Sequence, residues 1–413
     1  LRDKNLFRIF FFYRERGKEN FVYLFISYRI SQCPTHVRSK HKPLHLVYLI
    51  TRADEIGGAQ MHVLYLAQSF QAQGMQVTVL AGSEGSFSKL VEEAGIPYVH
   101  VPFLQRAISP WYDYRCFWAL RRLLRKLQPD LVTTHSSKAG WLGRLAAKSL
   151  RLPVTFTAHG WAFTEGVPEG NRRLFAFAER LAAHFTDRII TVSEYDRQLA
   201  LHYHITSPER LVTVYYGIPD VSSALWASPI VGNPVRLVMV ARFSPQKDQA
   251  LVLQALAALG HLSWEIEFIG DGPLRQKCEK LALTLGIKDR VYFLGERQDV
   301  AERLARAQIF VLASNYEGLP ISILEAMRAG LPVVAADVSG VKESVLHGKT
   351  GFLFSRGDVE GLRNHLQNLL LSPECRQRLG EAGRKRYEEL FTLKRMVNET
   401  WKVYKEVLYH YNR

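Results

Sequence analysis

The chain has 413 residues, 47% of them apolar and 23% charged, with 28 Gly, 17 Pro and 4 Cys. That length suggests two or three domains, and the composition excludes a collagen, a mucin-like stalk or a mainly disordered chain. Lys and Arg outnumber Asp and Glu by 54 to 39, a formal charge of +15, so the surface attracts polyanions: nucleic acid, anionic lipid headgroups or phosphorylated substrates.

Residues 1–43 carry ten Lys or Arg against three acids and show no helix cap or strand-turn-strand pattern. The apolar runs 9–13 and 21–28 are too short for a bilayer span, which needs about 20 residues. No small-x-small cleavage pattern follows them, so neither a membrane span nor an export signal is predicted. The segment is expected to be a basic extension, disordered or outside the functional protein, with a membrane-surface anchor as the alternative.

From Leu44 short buried-strand runs alternate with helical patterns. The spacing predicts a strand over 46–50, a loop with Gly57 and Gly58, and a helix over 60–73. A strand over 76–81, a helix over 86–94 and a strand over 98–101 follow, then an amphipathic basic helix over 114–127. Strands are predicted over 130–134, 154–158 and 188–192, and helices over 138–150, 172–185 and 194–202. A Pro-, Ser- and Gly-rich stretch, 217–234, interrupts this, and the cadence restarts. Strands are predicted over 235–240, 264–270, 290–294, 309–312 and 333–335, and helices over 248–259, 274–285, 321–329 and 358–371. A last helical pattern over 393–411 has no strand after it and could cross back to brace the first unit.

Such alternation implies an α/β fold of two tandem doubly wound, Rossmann-like units facing a cleft. The expected boundaries are 44–217 for a first domain, 218–390 for a second, and 391–413 for the final helix. Ligands of such sheets bind beyond the carboxyl ends of the strands, so the cleft is the expected active site. The cysteines, Cys33, Cys116, Cys278 and Cys375, have no metal-like spacing. They argue against a zinc site or a disulfide framework and fit a reducing, cytoplasmic compartment.

Glu317 and Glu325 lie in Tyr316-Glu-Gly-Leu-Pro-Ile-Ser-Ile-Leu-Glu325, at the end of a predicted strand and the start of a helix. Gly318 permits a tight backbone, Pro320 suits a first helical turn, and the amides around Gly318 and Leu319 would stabilise an anion such as a diphosphate. Carboxylates only accept hydrogen bonds, which suits hydroxyl-rich ligands: a ribose diol on one, a hexose on the other. Acids in a first turn also merely complement the helix dipole. Arg242 and Lys247 shift that balance, because they follow the strand 235–240 at the same sheet edge. Two cations there can neutralise a diphosphate and the charge that grows on it as it leaves.

With these residues the sequence resembles the retaining nucleotide-sugar glycosyltransferases of family 4, of GT-B architecture. The likeness covers roughly residues 45–390. It rests on the Gly57-Gly58 loop, Arg242 with Lys247, the Glu317/Glu325 pair, and Gly340-Val-Lys-Glu343 leading to Gly348-Lys-Thr-Gly351, in the family's order. The resemblance implies that Arg242 and Lys247 hold the donor diphosphate, Glu325 the nucleoside ribose and Glu317 the transferred sugar. It also implies retention of configuration and a histidine, here His159 in Ala-His-Gly-Trp, near the donor sugar. Tyr216 stands where the family often has Asn before the Gly that enters the second domain.

A His at a strand end can equally be bonded to backbone. His135 and Gly57 are weaker candidates on the acceptor side, and Gly58 is a donor-side candidate. The Gly57-Gly58 loop lacks a full GxGxxG, so no NAD is inferred. No Asp-x-Asp occurs in the sequence, so neither a metal nor another cofactor is expected; the nucleoside diphosphate sugar is a substrate.

The expected acceptor is a glycan or a lipid-linked glycan of polysaccharide or cell-envelope synthesis. Arg115, Arg121, Arg122, Arg125 and Lys126, interleaved with Phe117, Trp118, Leu120, Leu123 and Leu124, could rest on the inner face of an anionic membrane. The same pattern fits a core-facing stripe with a solvated basic back. Two rival readings remain from sequence: an epimerase or phosphorylase on the same architecture, and a basic nucleic-acid-binding module. The second lacks zinc spacing, an RNP-like motif or a basic zipper, and no nucleic acid partner is expected.

Overall fold

The computed structural model describes residues 42–165 and 169–411, with the backbone of 13–15 and 18–20. Tyr13–Glu15 and Lys18–Asn20 pair antiparallel, Tyr13 opposite Asn20, in a unit separate from the rest. No apolar alternation announces this ribbon in the sequence. The other expectations for residues 1–41, Cys33 included, lie outside the described residues.

The first half runs β1 (His45–Ile50), α1 (Gly58–Ala72), β2 (Gln76–Ala81), α2 (Ser86–Glu93), β3 (Tyr98–His100), α3 (Pro110–Leu127) and β4 (Leu131–His135). It continues through α4 (Ser137–Ser149), β5 (Val154–Ala158), α5 (Glu169–Ala183), β6 (Arg188–Thr191), α6 (Glu194–His202) and β7 (Leu211–Thr213). Among the described residues these seven strands form one parallel sheet in the order β3-β2-β1-β4-β5-β6-β7.

The second half repeats the plan with β8 (Val235–Val240), α7 (Gln249–Ala257), β9 (Trp264–Ile269), α8 (Arg275–Thr284), β10 (Val291–Gly295), α9 (Val300–Arg306) and β11 (Ile309–Leu312). Then come α10 (Ile321–Arg328), β12 (Val333–Ala336), α11 (Val341–Ser344) and β13 (Gly351–Phe354), giving the parallel order β10-β9-β8-β11-β12-β13. Three helices close the fold: α12 (Val359–Leu371), α13 (Pro373–Leu390) and α14 (Leu393–Tyr411).

The strand order reverses beside β1 and β4 in one sheet and beside β8 and β11 in the other. The loops after those strands therefore open the crevices where ligands of such sheets bind. All six residues of β1 are buried, as expected of a parallel strand covered on both faces. One apolar core runs from Tyr48 and Phe70 through Tyr216 and Ile218 to Phe243, Phe310 and Leu324. From α14, Trp401 and Tyr404 pack against Phe70 of α1, each with ring centroids 5.7 Å away. No helix among the described residues is long and apolar enough to cross a membrane.

Several elements depart from the sequence expectation. Helix α3 starts at Pro110 rather than 114, with Ser109 as its N-cap; Pro at N1 was the overlooked start signal. Helix α13 begins likewise at Ser372-Pro373, where the Ser372 hydroxyl accepts from the Cys375 amide. It was missed because its apolar positions are sparse. Strands β7 and β13 and helix α9 have only three, four and seven residues, too few for a period to show. Pro320 is the N-cap of α10, one residue before the first turn that was expected to hold it.

Candidate active site

The loop after β8 is set by Phe243, fully buried against Phe268 and Phe293 with centroids 5.9 and 5.8 Å away. With Phe243 anchored inward, its neighbour Arg242 faces outward. Gln246 donates to the Tyr316 carbonyl at 2.9 Å, and the Asn315 amide donates to the Gln246 carbonyl at 2.7 Å. These bonds stitch the loop to the segment after β11, which brings Lys247 into an ion pair with Glu317. The two side chains are only 18% and 8% exposed. Sequence reasoning put them at one sheet edge; the structure puts them in contact.

Arg242 reaches the other way, across the cleft, to Glu55 in the loop before α1, Nη1 to Oε1 3.1 Å. Arg52 also pairs with Glu55, at 3.0 Å. Glu55 was not anticipated, although the charge cluster Arg52-Ala-Asp-Glu55 beside Gly57 was visible. Gly57 caps α1, and a Cβ on Gly58 would lie 3.6 Å from Ile321 Cδ1 of α10. The amino-terminal ends of α1 and α10 thus face each other across the crevice, and each carries partial positive charge. Glu325 lies just over one turn into α10, and burial pushes its carboxyl above the ordinary range against the pull of Arg328.

The halves meet closely at Gly318. A Cβ there would stand 2.8 Å from the His159 carbonyl oxygen and 3.1 Å from Val192 Cγ2. A Cβ on Gly340 would overlap the Gly318 carbonyl. Beside them the Glu343 carboxylate, from α11, accepts from the Glu194 and Tyr195 amides at the start of α6, both at 2.7 Å. The Gly340-to-Glu343 motif therefore works at the junction of the halves. The signal that would have revealed its partner is Ser193-Glu-Tyr-Asp196, a cap in which the Ser193 hydroxyl accepts from the Asp196 amide. Gly318→Ala is expected to lower kcat by about 100-fold by pushing the halves apart around the reacting atoms. Steady-state kinetics checks this; an unchanged kcat means that the approach at Gly318 is dispensable.

His159 follows β5. Its Nε2 lies 2.9 Å from Nδ1 of His135, and its Nδ1 is hydrogen-bonded to the Tyr216 hydroxyl. Both ring nitrogens thus have protein partners, and the expected ring contact to a ligand is taken up by them; the main-chain carbonyl is the part of His159 that meets Gly318. His135, expected on the acceptor side, is fully buried with its second nitrogen 3.1 Å from Thr133 Oγ1. It stands behind His159 and cannot reach an acceptor, because its strand-end side chain turns into the layer of Tyr48 and His62. Burial pushes His62 down to about 3 and His135 and His159 well below the usual imidazole range, so all three are neutral.

No group of three or more His, Cys, Asp or Glu that could hold a metal ion exists among the described residues. Cys116 and Cys278 are buried, and both, like Cys375, are free thiols.

Residues 56–221 match the family model described as glycosyltransferase family 4, and residues 223–386 match that of glycosyl transferases group 1. The Escherichia coli UDP-Gal:alpha-D-GlcNAc-diphosphoundecaprenol alpha-1,3-galactosyltransferase is 27% identical over 367 residues, covering 84% of this chain and 93% of its own. The Bacillus anthracis N-acetyl-alpha-D-glucosaminyl L-malate synthase is 33% identical over 173 residues, 42% of this chain and 45% of its own. The crystal structure of Anabaena Alr3699/HepE with UDP and glucose shares the fold, with a TM-score of 0.77 at 20% identity over 88% of this chain and 100% of that one. With one glycosyltransferase model matching each half and the same two-sheet GT-B architecture, the chain belongs to the family 4 glycosyltransferases.

Proposed function

We propose that this enzyme transfers a hexose from a UDP-hexose to a hydroxyl of a lipid-linked or polysaccharide glycan, using Arg242 and Lys247 rather than a divalent ion to hold the diphosphate. The observation that carries this reading is the Lys247–Glu317 pair, set beside Arg242 where the starts of α1 and α10 face each other. UDP is preferred because the Escherichia coli relative uses UDP-Gal and the HepE crystal structure holds UDP. The first sheet, 44–217, would carry the acceptor and the second, 218–390, the donor.

In this structure each cation is paired with a carboxylate. A donor diphosphate exchanges those partners: Lys247 leaves Glu317 for phosphate oxygens and frees Glu317 for hexose hydroxyls, while Arg242 leaves Glu55. Glu325 accepts from the ribose diol. As the bond from the anomeric carbon to the phosphate oxygen stretches, negative charge grows on the diphosphate. Arg242, Lys247 and the amides near Gly318 and Leu319 stabilise it. The acceptor hydroxyl attacks the face that the diphosphate leaves, and its proton passes to a phosphate oxygen. The close approach at Gly318 excludes water from the donor.

Helix α3 supports a peripheral seat on an anionic membrane. Its core stripe is Cys116, Leu120 and Leu124, yet Trp111 (65% exposed), Tyr114 and Trp118 stand out in solvent among Arg115, Arg121 and Arg122. The test is turnover of a panel of nucleoside diphosphate hexoses in excess EDTA, with and without vesicles containing anionic lipid. One UDP-hexose is expected to turn over with its anomeric configuration kept, and the protein to sediment with the vesicles. No turnover until a divalent ion is added overturns the metal-free cradle, and preference for another base overturns UDP. Failure to sediment removes the membrane seat.

A further inference from the structure

Behind the cleft lies a line of hydrogen-bonded groups that the transfer reaction does not itself use. The Tyr404 hydroxyl of α14 donates to Thr133 Oγ1 at 3.2 Å. Thr133 Oγ1 lies 3.1 Å from His135 Nε2, His135 Nδ1 lies 2.9 Å from His159 Nε2, and His159 Nδ1 meets the Tyr216 hydroxyl. The rings are layered: His135 on His159 at 5.2 Å and 27°, and His159 on Tyr216 at 5.7 Å and 30°. His62 walls the line, edge-on to His159 at 5.1 Å and tilted against Tyr216 at 5.0 Å, with its own buried Nδ1 unpartnered. Tyr216, His62, Thr133, His135 and Tyr404 are each at most 4% exposed.

A chain of donors and acceptors this short has a direction. With Tyr404 donating, Thr133 donates to His135 Nε2, so the proton of neutral His135 sits on Nδ1 and is donated to His159 Nε2. The proton of neutral His159 is then on Nδ1, donated to the Tyr216 oxygen, and the Tyr216 O–H is left to point on. Its surroundings include the carboxylates of Glu317 and Asp196. Each bond fixes the next, and no group has to be charged. Aliphatic side chains would fill the same layer without the desolvation cost of so many polar atoms, so the line does something that packing alone does not require. It also stops at the connection between the halves, where the Ile218 amide donates to Phe391 and the Leu393 amide to Ile218, at 3.0 and 2.9 Å.

We infer that Tyr216, His135 and Thr133 are positioning residues of the transfer reaction, holding His159 by both ring nitrogens in one neutral tautomer so that its main chain stays fixed against Gly318. Tyr216, the residue before Gly217, supplies the hydroxyl that closes the line at the connection between the halves. The inference rests on the cleft being the transfer site, and its test includes a readout that needs no substrate.

The experiment is nitrogen-15 NMR of the histidine side chains in the full chain, with kinetics, for Thr133→Val, Thr133→Ser and Tyr216→Phe. Wild-type His159 is expected as a single neutral form with its proton on Nδ1. Thr133→Val, nearly isosteric and two bonds removed from His159, is expected to mix its tautomers and lower kcat by about 10- to 100-fold at an unchanged donor KM. Thr133→Ser is expected to restore both. Tyr216→Phe is expected to do as Thr133→Val; if it does not fold, the Thr133 pair carries the test. A His159 spectrum and a kcat that stay as in wild type in Thr133→Val, with only a lower melting temperature, overturn the proposal. An altered spectrum with unchanged kcat overturns the catalytic half of it, and a chain that turns over no donor while its spectra behave as stated locates the failure in the transfer reading instead.

Discussion

Lys247→Ala is expected to lower kcat/KM by about 10²- to 10³-fold, the size of effect seen when one preorganised group facing developing charge is removed. The loss should fall on kcat as well as on KM, because the charge that Lys247 meets grows as the diphosphate departs. The same substitution leaves Glu317 without its partner at 8% exposure. A carboxylate stranded this way costs several kcal/mol when fully buried. With Lys247 itself 18% exposed, water relieves part of that, and about 1–3 kcal/mol of unfolding free energy is expected to go. Glu317→Gln in the Lys247→Ala background should return most of the stability and none of the activity. Kinetics and urea unfolding of the three variants check both halves. A Lys247→Ala enzyme with near-normal kcat/KM means that the diphosphate is held elsewhere.

The second large effect is on acid stability. His62, His135 and His159 have folded pKa values depressed by burial, His62 to about 3. In the unfolded chain each titrates near pH 6.5. Below that pH the unfolded chain binds protons that the folded cluster refuses. Each imidazole therefore removes about 1.4 kcal/mol of stability per pH unit, fully retained above pH 6.5 and drained as the pH falls toward the folded values. Asp196 acts with the opposite sign. Burial raises it to about 7, so its contribution is complete below the ordinary carboxylate pKa and is lost as the pH rises through 7. Between about pH 4 and 6.5 it offsets one of the three imidazoles. Urea unfolding at a series of pH values should show a steep acid side, and His62→Phe should make it shallower by one proton. A stability that stays level from pH 6.5 to 5 would mean that these rings are protonated in the folded protein.

Much of the fold was legible because parallel strands covered on both faces are continuous apolar runs. The predicted bounds of 76–81, 154–158, 235–240 and 309–312 match β2, β5, β8 and β11 residue for residue. The restart after 217–234 showed two units. What stayed hidden were β7, β13 and α9, and also α13, whose only clear sign was the Ser372-Pro373 start. Among the candidate site residues, the nearness of Arg242, Lys247 and Glu317 to one sheet edge was legible because each sits just past a strand end. Their partners were not. Glu55 meets Arg242 and Glu343 meets α6 only because the two sheets dock, and residue spacing carries no information about docking; Tyr216 meets His159 within the first half, across strands that lie far apart in sequence. His135 shows the converse: a strand-end position is visible in sequence, but the direction in which its side chain turns is fixed by neighbours from β1, α1 and α14.

The return of α14 to the first sheet constrains the order of assembly during synthesis. Tyr404 supplies the outermost hydroxyl of the buried line, and Trp401 covers Phe70. The amino-terminal half can thus form its strands early but cannot seal its own interior until translation has passed residue 404. A chain released before that point leaves Phe70 without the Trp401 and Tyr404 rings that cover it, an apolar handle for chaperones and proteases and a reason for such fragments to be cleared.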